Sequence, residues 1–351
     1  MDASAHAARI GFRNDYSEGA HPRLLQALAT ASSEQNAGYG LDRHSQRAAD
    51  LIRTACACPQ ADVHLLSGGT QVNLTASGAF LRPHQAAIAA ESGHIAVHET
   101  GAIELTGHKV VTVPVADGKL TPQAIAPVLA THDNEHLVQP RLVYVSNTTE
   151  LGTIYTRAEL QALSIFCRAN GLWLFLDGAR LGAALTAEGN DLTLADIAAL
   201  TDAFYIGGTK NGALMGEALV IVTPALQADF RYLLKQRGAL LAKGMVLGVQ
   251  FAALFEDDLF FALAAHANRM AQRLRDGLQA AGAQFVVASP TNQQFIAVTP
   301  SQLDALAQRY DFERWEVRTD GNIVIRFVTS WATTAAMVDT LVRDFATLRS
   351  C

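Results

Sequence analysis

The sequence predicts an α/β fold, with a mainly parallel sheet carrying helices on both faces and a smaller α+β domain after it. Three observations lead there. Over the first two thirds of the chain, short apolar runs alternate with segments of helical period, which is the pattern of βαβ units. The chain has 351 residues, half of them apolar, more than one small core requires. The last seventy residues then change to strand-like runs with two helices between and after them. The expected division is an N-terminal segment over 1–20, a large domain over 21–250 and a small domain over 251–351.

Residues 1–20 read as irregular and carry the polar cluster Arg13, Asn14, Asp15, Tyr16 and Ser17. Pro22 opens a helix to about residue 33, because its fixed φ suits the first turn. Tyr39 stands between two glycines, and Asp42 is placed to cap a helix whose stripe passes through Leu51, Ile52 and Cys56. VHLLSGG then leads into the helix TQVNLTASGAFL, and AAIAAES into a second. KVVTVPV precedes a helix from Thr121, RLVYVSN one from Thr156, and LWLFLDG comes before a last strand pair at 203–206 and 217–222. From 224 to 282 the pattern is helical, with breaks near Gly238 and Gly244, and serves as the connector to the second domain. There QFVVAS, QFIAVTP, RWEVR and NIVIRFVTS are the strands, with helices over 301–310 and 333–349. In such a sheet a ligand is expected at the carboxyl ends of the strands.

The totals narrow the function. The net charge of -6 is spread along the chain, so there is no basic stripe for nucleic acid, and small-molecule chemistry is the default. No apolar run reaches the ~18 to 20 residues that span a bilayer. The first residues lack a basic-then-apolar pattern, which points to the cytoplasm. Cys56 and Cys58 lie in one helical pattern, Cys167 in another, and Cys351 is last. They form no CxxC pair and have no histidines at zinc spacing, so they read as reduced thiols, and no metal site is expected.

Four stretches carry unusual chemistry. In DAFYIGGTKNGALMGEALVIV a turn of small residues places Lys210 between two apolar strands. An ammonium there is costly unless paired or lowered in pKa, and a lowered amine suits imine formation with an aldehyde. A snorkelling surface lysine is the alternative. In LWLFLDGARLGAA, Asp177 follows a buried-looking run and needs a cationic partner; a protonated pyridine nitrogen would serve, and so would Arg180 three residues on. Arg180 is also placed to fork onto a carboxylate. LLSGGTQVN offers the amides of Gly69 and Thr70 to a phosphate at a helix start, although such a turn is also common without a ligand. His94 ends the run before HIAVHETGA and is placed to lie on a ring, with His98 one turn later on the same face; a hydrogen-bonded polar residue at a helix start is the other reading.

The order glycine turn, histidine, aspartate with arginine three later, then lysine thirty-three beyond the aspartate resembles the fold-type I pyridoxal-phosphate enzymes. Within them it is similar to the threonine aldolases and phenylserine aldolases, over nearly the whole chain. The segments that carry the likeness are FRNDYSEGAHP, YGLD, SGGTQVN, SGHIAVHETGA, SNTTELGTIYT, LDGARLGAAL, GGTKNG and IVIRFVTSWATT. The resemblance implies pyridoxal 5'-phosphate held by Lys210 as a Schiff base, with Thr209, Gly69 and Thr70 near its phosphate, Asp177 at the ring nitrogen and His94 stacked on the ring. It implies Arg180 and Arg326 on the substrate carboxylate, helped by Asn14, with Tyr39, His98 and Thr149 completing the substrate side. It further implies a homo-oligomer, dimer or tetramer, whose neighbouring subunit completes the site, with Arg237 and Lys243 in the region that reaches across.

The chain departs from the family at three places. Asn14 stands where a serine is usual, ALLAKG replaces a glycine-rich run, and Thr149 takes the place of a histidine close to the substrate hydroxyl. The last leaves three candidates for the base that takes the hydroxyl proton: His94, His98 or a water held by threonine hydroxyls. It also points to the aldehyde side of the substrate, in favour of aryl-serines. The reaction implied is cleavage of a β-hydroxy-α-amino acid to glycine and an aldehyde. β-Elimination, transamination and non-catalytic cofactor binding are the alternatives, because fold and cofactor do not choose the bond that breaks.

Overall fold

A computed structural model of the chain describes residues 9–348; residues 1–8, Cys351 and the last residue of the helix expected over 333–349 lie outside that range. The central sheet has seven strands in the spatial order Asp62–Leu66, Glu217–Ile221, Ala203–Gly207, Trp173–Asp177, Gln139–Ser146, Gln85–Ala90 and Val110–Val113. Only Glu217–Ile221 runs antiparallel to its neighbours. Strands such as Gln85–Ala90 and Ala203–Gly207 are buried along their whole length, which is why their sequences run apolar instead of alternating.

The helices that cover the sheet begin where the sequence marks them. Pro22 is the first residue of Pro22–Ala31, Asp42 accepts from Ser45 N at 2.8 Å ahead of Arg43–Ala55, and Thr156 with Glu159 forms a capping box on Arg157–Ala169. One apolar layer packs Ile88, Val143, Leu176 and Phe204 under helices that include Ile52, Leu163 and Phe251. The other packs Tyr144, Phe175 and Tyr205 against Val72 and Phe80 of the helix Gly69–Phe80.

The second sheet is antiparallel, with strands in the order Glu313–Val317, Ile323–Val328, Gln293–Val298 and Gln284–Phe285. Its core contains Ile296, Ile325 and Phe327 together with Phe12, so the N-terminal segment packs with this domain. Ile10–Gly11 pairs in parallel with Tyr310–Asp311, a contact between distant residues that local pattern cannot announce.

Several expectations need correction. Cys56 caps the helix Arg43–Ala55, and Cys58 lies beyond it. The run QFVVAS pairs only over Gln284–Phe285. The connector breaks a third time at Asp257 and Asp258, both at positive φ, before the helix Leu259–Ala280.

Candidate active site

The carboxyl ends of the parallel strands converge because two glycines let their loops touch. A side chain on Gly178 would put its Cβ 1.9 Å from the carbonyl oxygen of Tyr205, and one on Gly207 would lie 2.2 Å from that of Ala179. Without them, Gly207 N donates to Gly178 O at 2.9 Å, which ties the loop after Asp177 to the loop before Lys210. Asn147 N in turn donates to Asp177 O at 2.9 Å, bringing in the SNTTELG loop. Asp177 and Lys210 therefore open on one cavity, of about 270 Å³.

Asp177 forms the floor, 4% exposed. Its carboxylate accepts from Tyr144 Oη at 2.5 Å, Asn73 Nδ2 at 3.1 Å and Ala179 N at 2.9 Å. Burial acts to raise its pKa, but His94 and the Tyr144 and Tyr205 hydroxyls outweigh it and hold the group below the usual carboxylate range. The same Asn73 amide donates to Glu99 Oε1 at 2.7 Å, and Glu99 Oε1 is 2.7 Å from His94 Nδ1. His94 is thus fixed through one ring nitrogen, and its ring centroid is 5.5 Å from that of His98.

Lys210 lies 5.9 Å from the centre of the Tyr16 ring. Burial, and then the Arg180 guanidinium, push its ammonium below the ordinary lysine value, the shift that makes an amine nucleophilic. Behind it Glu217 accepts from Gly208 N at 3.0 Å, and burial raises its carboxyl to about 8.

Arg180 does not pair with Asp177. It forks onto Asp15, at 2.7 Å from Nε to Oδ2 and 3.0 Å from Nη2 to Oδ1. Asp15 also accepts from Asn292 Nδ2 at 2.9 Å, so one carboxylate joins the N-terminal segment, the large domain and the small domain. Burial works against this charge, yet Arg180 and Lys210 keep Asp15 below the usual carboxylate range. Arg326 enters from the small domain, donates to Gln293 Oε1 at 3.0 Å, pairs with Glu313 and lies over the Trp315 ring.

Lys210, Asp177, His94, His98, Arg180, Arg326 and Thr149 all line this cavity. Gly69, Thr70, Thr209, Asn14, Tyr39, Arg237 and Lys243 do not. Gly69 and Thr70 start the helix whose Asn73 reaches Asp177; that helix has no side-chain cap, and neither amide meets a protein acceptor among the described residues. Thr209 Oγ1 accepts from Gly216 N, and Asn14 Oδ1 from Tyr16 N and Ser17 Oγ, so both serve their own loops. Arg237 packs against Gly78, nine residues along the helix from Gly69. Tyr39 lies in a second groove, with the Lys235 ammonium 4.3 Å above its ring.

The reading from sequence missed Asp15, Tyr16, Glu99, Glu150 and Glu313. Nothing local distinguishes Asp15 from its neighbour Asn14. Asn73, however, carried a signal, since it lies four residues beyond Gly69 on the same helical face.

Residues 12–301 match the family model described as beta-eliminating lyase. A low specificity L-threonine aldolase of Pseudomonas aeruginosa is 32% identical over 341 residues, covering 95% of this chain and 96% of its own. One from a Pseudomonas sp. is 32% identical over 347 residues, covering 97% and 98%. A solved structure of Leishmania major threonine aldolase superposes with a TM-score of 0.95 at 50% identity, over 97% of this chain and 99% of that one. A mutant of Thermus thermophilus aspartate aminotransferase, at 15% identity, shares the fold with a TM-score of 0.74 over 97% and 91% of the two chains.

Proposed function

We infer that this chain, which belongs to the beta-eliminating lyase family, is a pyridoxal-phosphate-dependent lyase that cleaves threonine-type β-hydroxy-α-amino acids between Cα and Cβ to glycine and an aldehyde. The observation that carries this reading is a lysine of lowered pKa and a buried ionised aspartate on one cavity, in a chain so similar to threonine aldolases.

The residues fit the cofactor. Among the described residues the donors bonded to Asp177 are neutral, so a cationic ring nitrogen would complete the hydrogen bonding of its buried charge. The unclaimed amides of Gly69 and Thr70 suit a phosphate. When bound, the cofactor supplies an electron sink for the pair released by the broken bond.

The protein residues take the following parts. Lys210 would hold the cofactor through its aldehyde, with Thr209 toward its phosphate. Asp177 would keep the ring nitrogen charged, and His94, fixed by Glu99, would pack on the ring. Arg180 and Arg326 orient the substrate carboxylate so that the scissile bond is aligned for cleavage, with Asn14 at the edge. Thr149 and His98 border the aldehyde side, where a small threonine in place of a ring leaves room for an aryl group.

Tyr39, Arg237 and Lys243 act on the neighbouring subunit's cavity in a closed homo-oligomer, which we take to be a homotetramer. Supporting this, the groove beside Tyr39 exposes Leu41 and Tyr232, at 68% and 78%. Three buried free cysteines, Cys56, Cys58 and Cys167, suit the reducing cytoplasm, and no helix among the described residues is long and apolar enough to cross a membrane. The division at 20 and 250 is proposed with the connecting helix as hinge.

The test supplies threonine, phenylserine, serine and cysteine separately to the purified holoenzyme. Glycine from the first two supports the reading, whereas pyruvate from the last two without glycine makes the protein a β-eliminating enzyme.

A further inference from the structure

Glu150 lies in the loop that follows the strand Gln139–Ser146 and lines the same cavity as Lys210 and Arg180. It is 9% exposed and, among the described residues, forms no ion pair. Its Oε1 accepts from Ser146 Oγ at 2.8 Å and from His94 N at 3.0 Å, and neither bond uses Oε2. Its own backbone amide also donates to the carboxylate, yet no cation among the described residues is bonded to it, and a buried carboxylate without such a partner beside a cavity is costly.

Most other candidates for moving a proton are committed elsewhere. Asp177 is held by three donors and Glu313 by Arg326. Thr149 Oγ1 is 2.7 Å from Thr153 Oγ1, and Thr148 Oγ1 accepts from Gln293. His94 Nδ1 is bound to Glu99, which leaves Nε2 open and keeps His94 as one rival. His98 stands exposed beside Trp315, its pKa lowered by burial and by His94, and is the other.

We propose that Glu150 is the catalytic base that takes the β-hydroxyl proton as the Cα–Cβ bond breaks, a role that rests on the reaction proposed above. The O–H bond is cleaved and its proton passes to Oε2. The oxygen's electron pair forms the aldehyde C=O, and the Cα–Cβ pair stays on the α-carbon, which is later protonated to give glycine. Burial first, and then the negative charge of Asp177, raise the proton affinity of Glu150, as a base working near neutral pH requires. His94, Asp177, Arg180, Tyr144 and Tyr155 are the titratable and charged groups that act on it or respond to it.

E150Q is the test, because a glutamine carbonyl keeps both Oε1 hydrogen bonds while its amide cannot take the proton. The expected result is a fall in kcat of roughly 10² to 10⁴-fold for threonine and phenylserine, with KM, cofactor absorbance and melting temperature held. Exchange of the glycine α-proton for deuterium continues, since that step moves no hydroxyl proton. Infrared difference spectra of the holoenzyme between acid and alkaline pH lose one protonated-carboxyl band. Unchanged kcat or an unchanged band overturns the proposal. So does loss of cofactor or of glycine exchange in step with cleavage, which assigns Glu150 to scaffolding, or an H98Q variant that alone removes the acid limb of the pH profile. A wild-type protein that exchanges the glycine proton yet cleaves neither substrate overturns the reaction beneath it instead.

Discussion

Asp177 and Arg326 line one cavity and are held by different means. Asp177 sits at a strand end in the middle of the sheet, with Tyr144, Asn73 and a backbone amide on its oxygens, in a region where every side chain is packed. Arg326 extends from the small domain to Gln293 and to Glu313, whose side chain is 36% exposed. The two ion pairs differ in the acid alone: Asp15 is 1% exposed and Glu313 36%, whereas Arg180 and Arg326 are both largely buried, at 12% and 10%. A buried charge with many partners is dear to disturb, whereas the part-exposed carboxylate of Glu313 is screened by water. Asp177 and the Asp15–Arg180 pair are therefore held rigidly, whereas the acid that faces Arg326 is adjustable.

Four experiments put that contrast at risk. The largest effect is expected for Lys210→Ala, which removes the cofactor's visible absorbance and on the order of 10³ to 10⁶-fold of kcat, the range for deleting a covalent group; a variant that keeps colour and turnover ends the assignment. Arg180→Ala leaves Asp15 buried without its guanidinium and should cost about 3 to 5 kcal/mol in denaturant unfolding, against a smaller loss for Glu313→Ala, whose carboxylate is part-exposed although Arg326 stays buried. Equal losses would erase the distinction between the two pairs.

The third concerns pH. Glu217 has its carboxyl raised to about 8 by burial, so the native protein holds a proton that the unfolded chain releases above its ordinary pKa near 4.5. Stability from this group is full below that value and falls as pH rises to about 8, at up to ~1.4 kcal/mol per pH unit. Glu217→Gln should flatten the slope in the cofactor-free protein, as urea midpoints read at successive pH values will tell. The smallest effect belongs to the rim. If Glu313 competes with the substrate carboxylate for Arg326, Glu313→Gln lowers KM by about fivefold or more, with kcat unchanged; a raised KM assigns Glu313 to substrate binding.

Legibility followed the same division. The strands and their carboxyl-end residues stood out because an apolar run closed by Asp177, or a small-residue turn carrying Lys210, conflicts locally with its surroundings. The helix starts at Pro22, Asp42 and Thr156 were legible because capping is a contact within four residues. Asp15, Glu150 and Glu313 were not, since each is an ordinary acid in an ordinary polar stretch until the chain closes around it. The resemblance pointed to Asn14, and its neighbour Asp15 did not stand out, because adjacent residues of similar size differ only in what they meet.

The linear chain alone established the α/β pattern, the parallel sheet and the candidates at its strand ends, because burial and capping are written in periods of two to four residues. Folding settled which acid answers which arginine, that Phe12 and Asp15 return to a domain nearly three hundred residues away, and that Gly178 and Gly207 let two loops touch. Those outcomes depend on distances between remote segments, and no local period encodes such a distance.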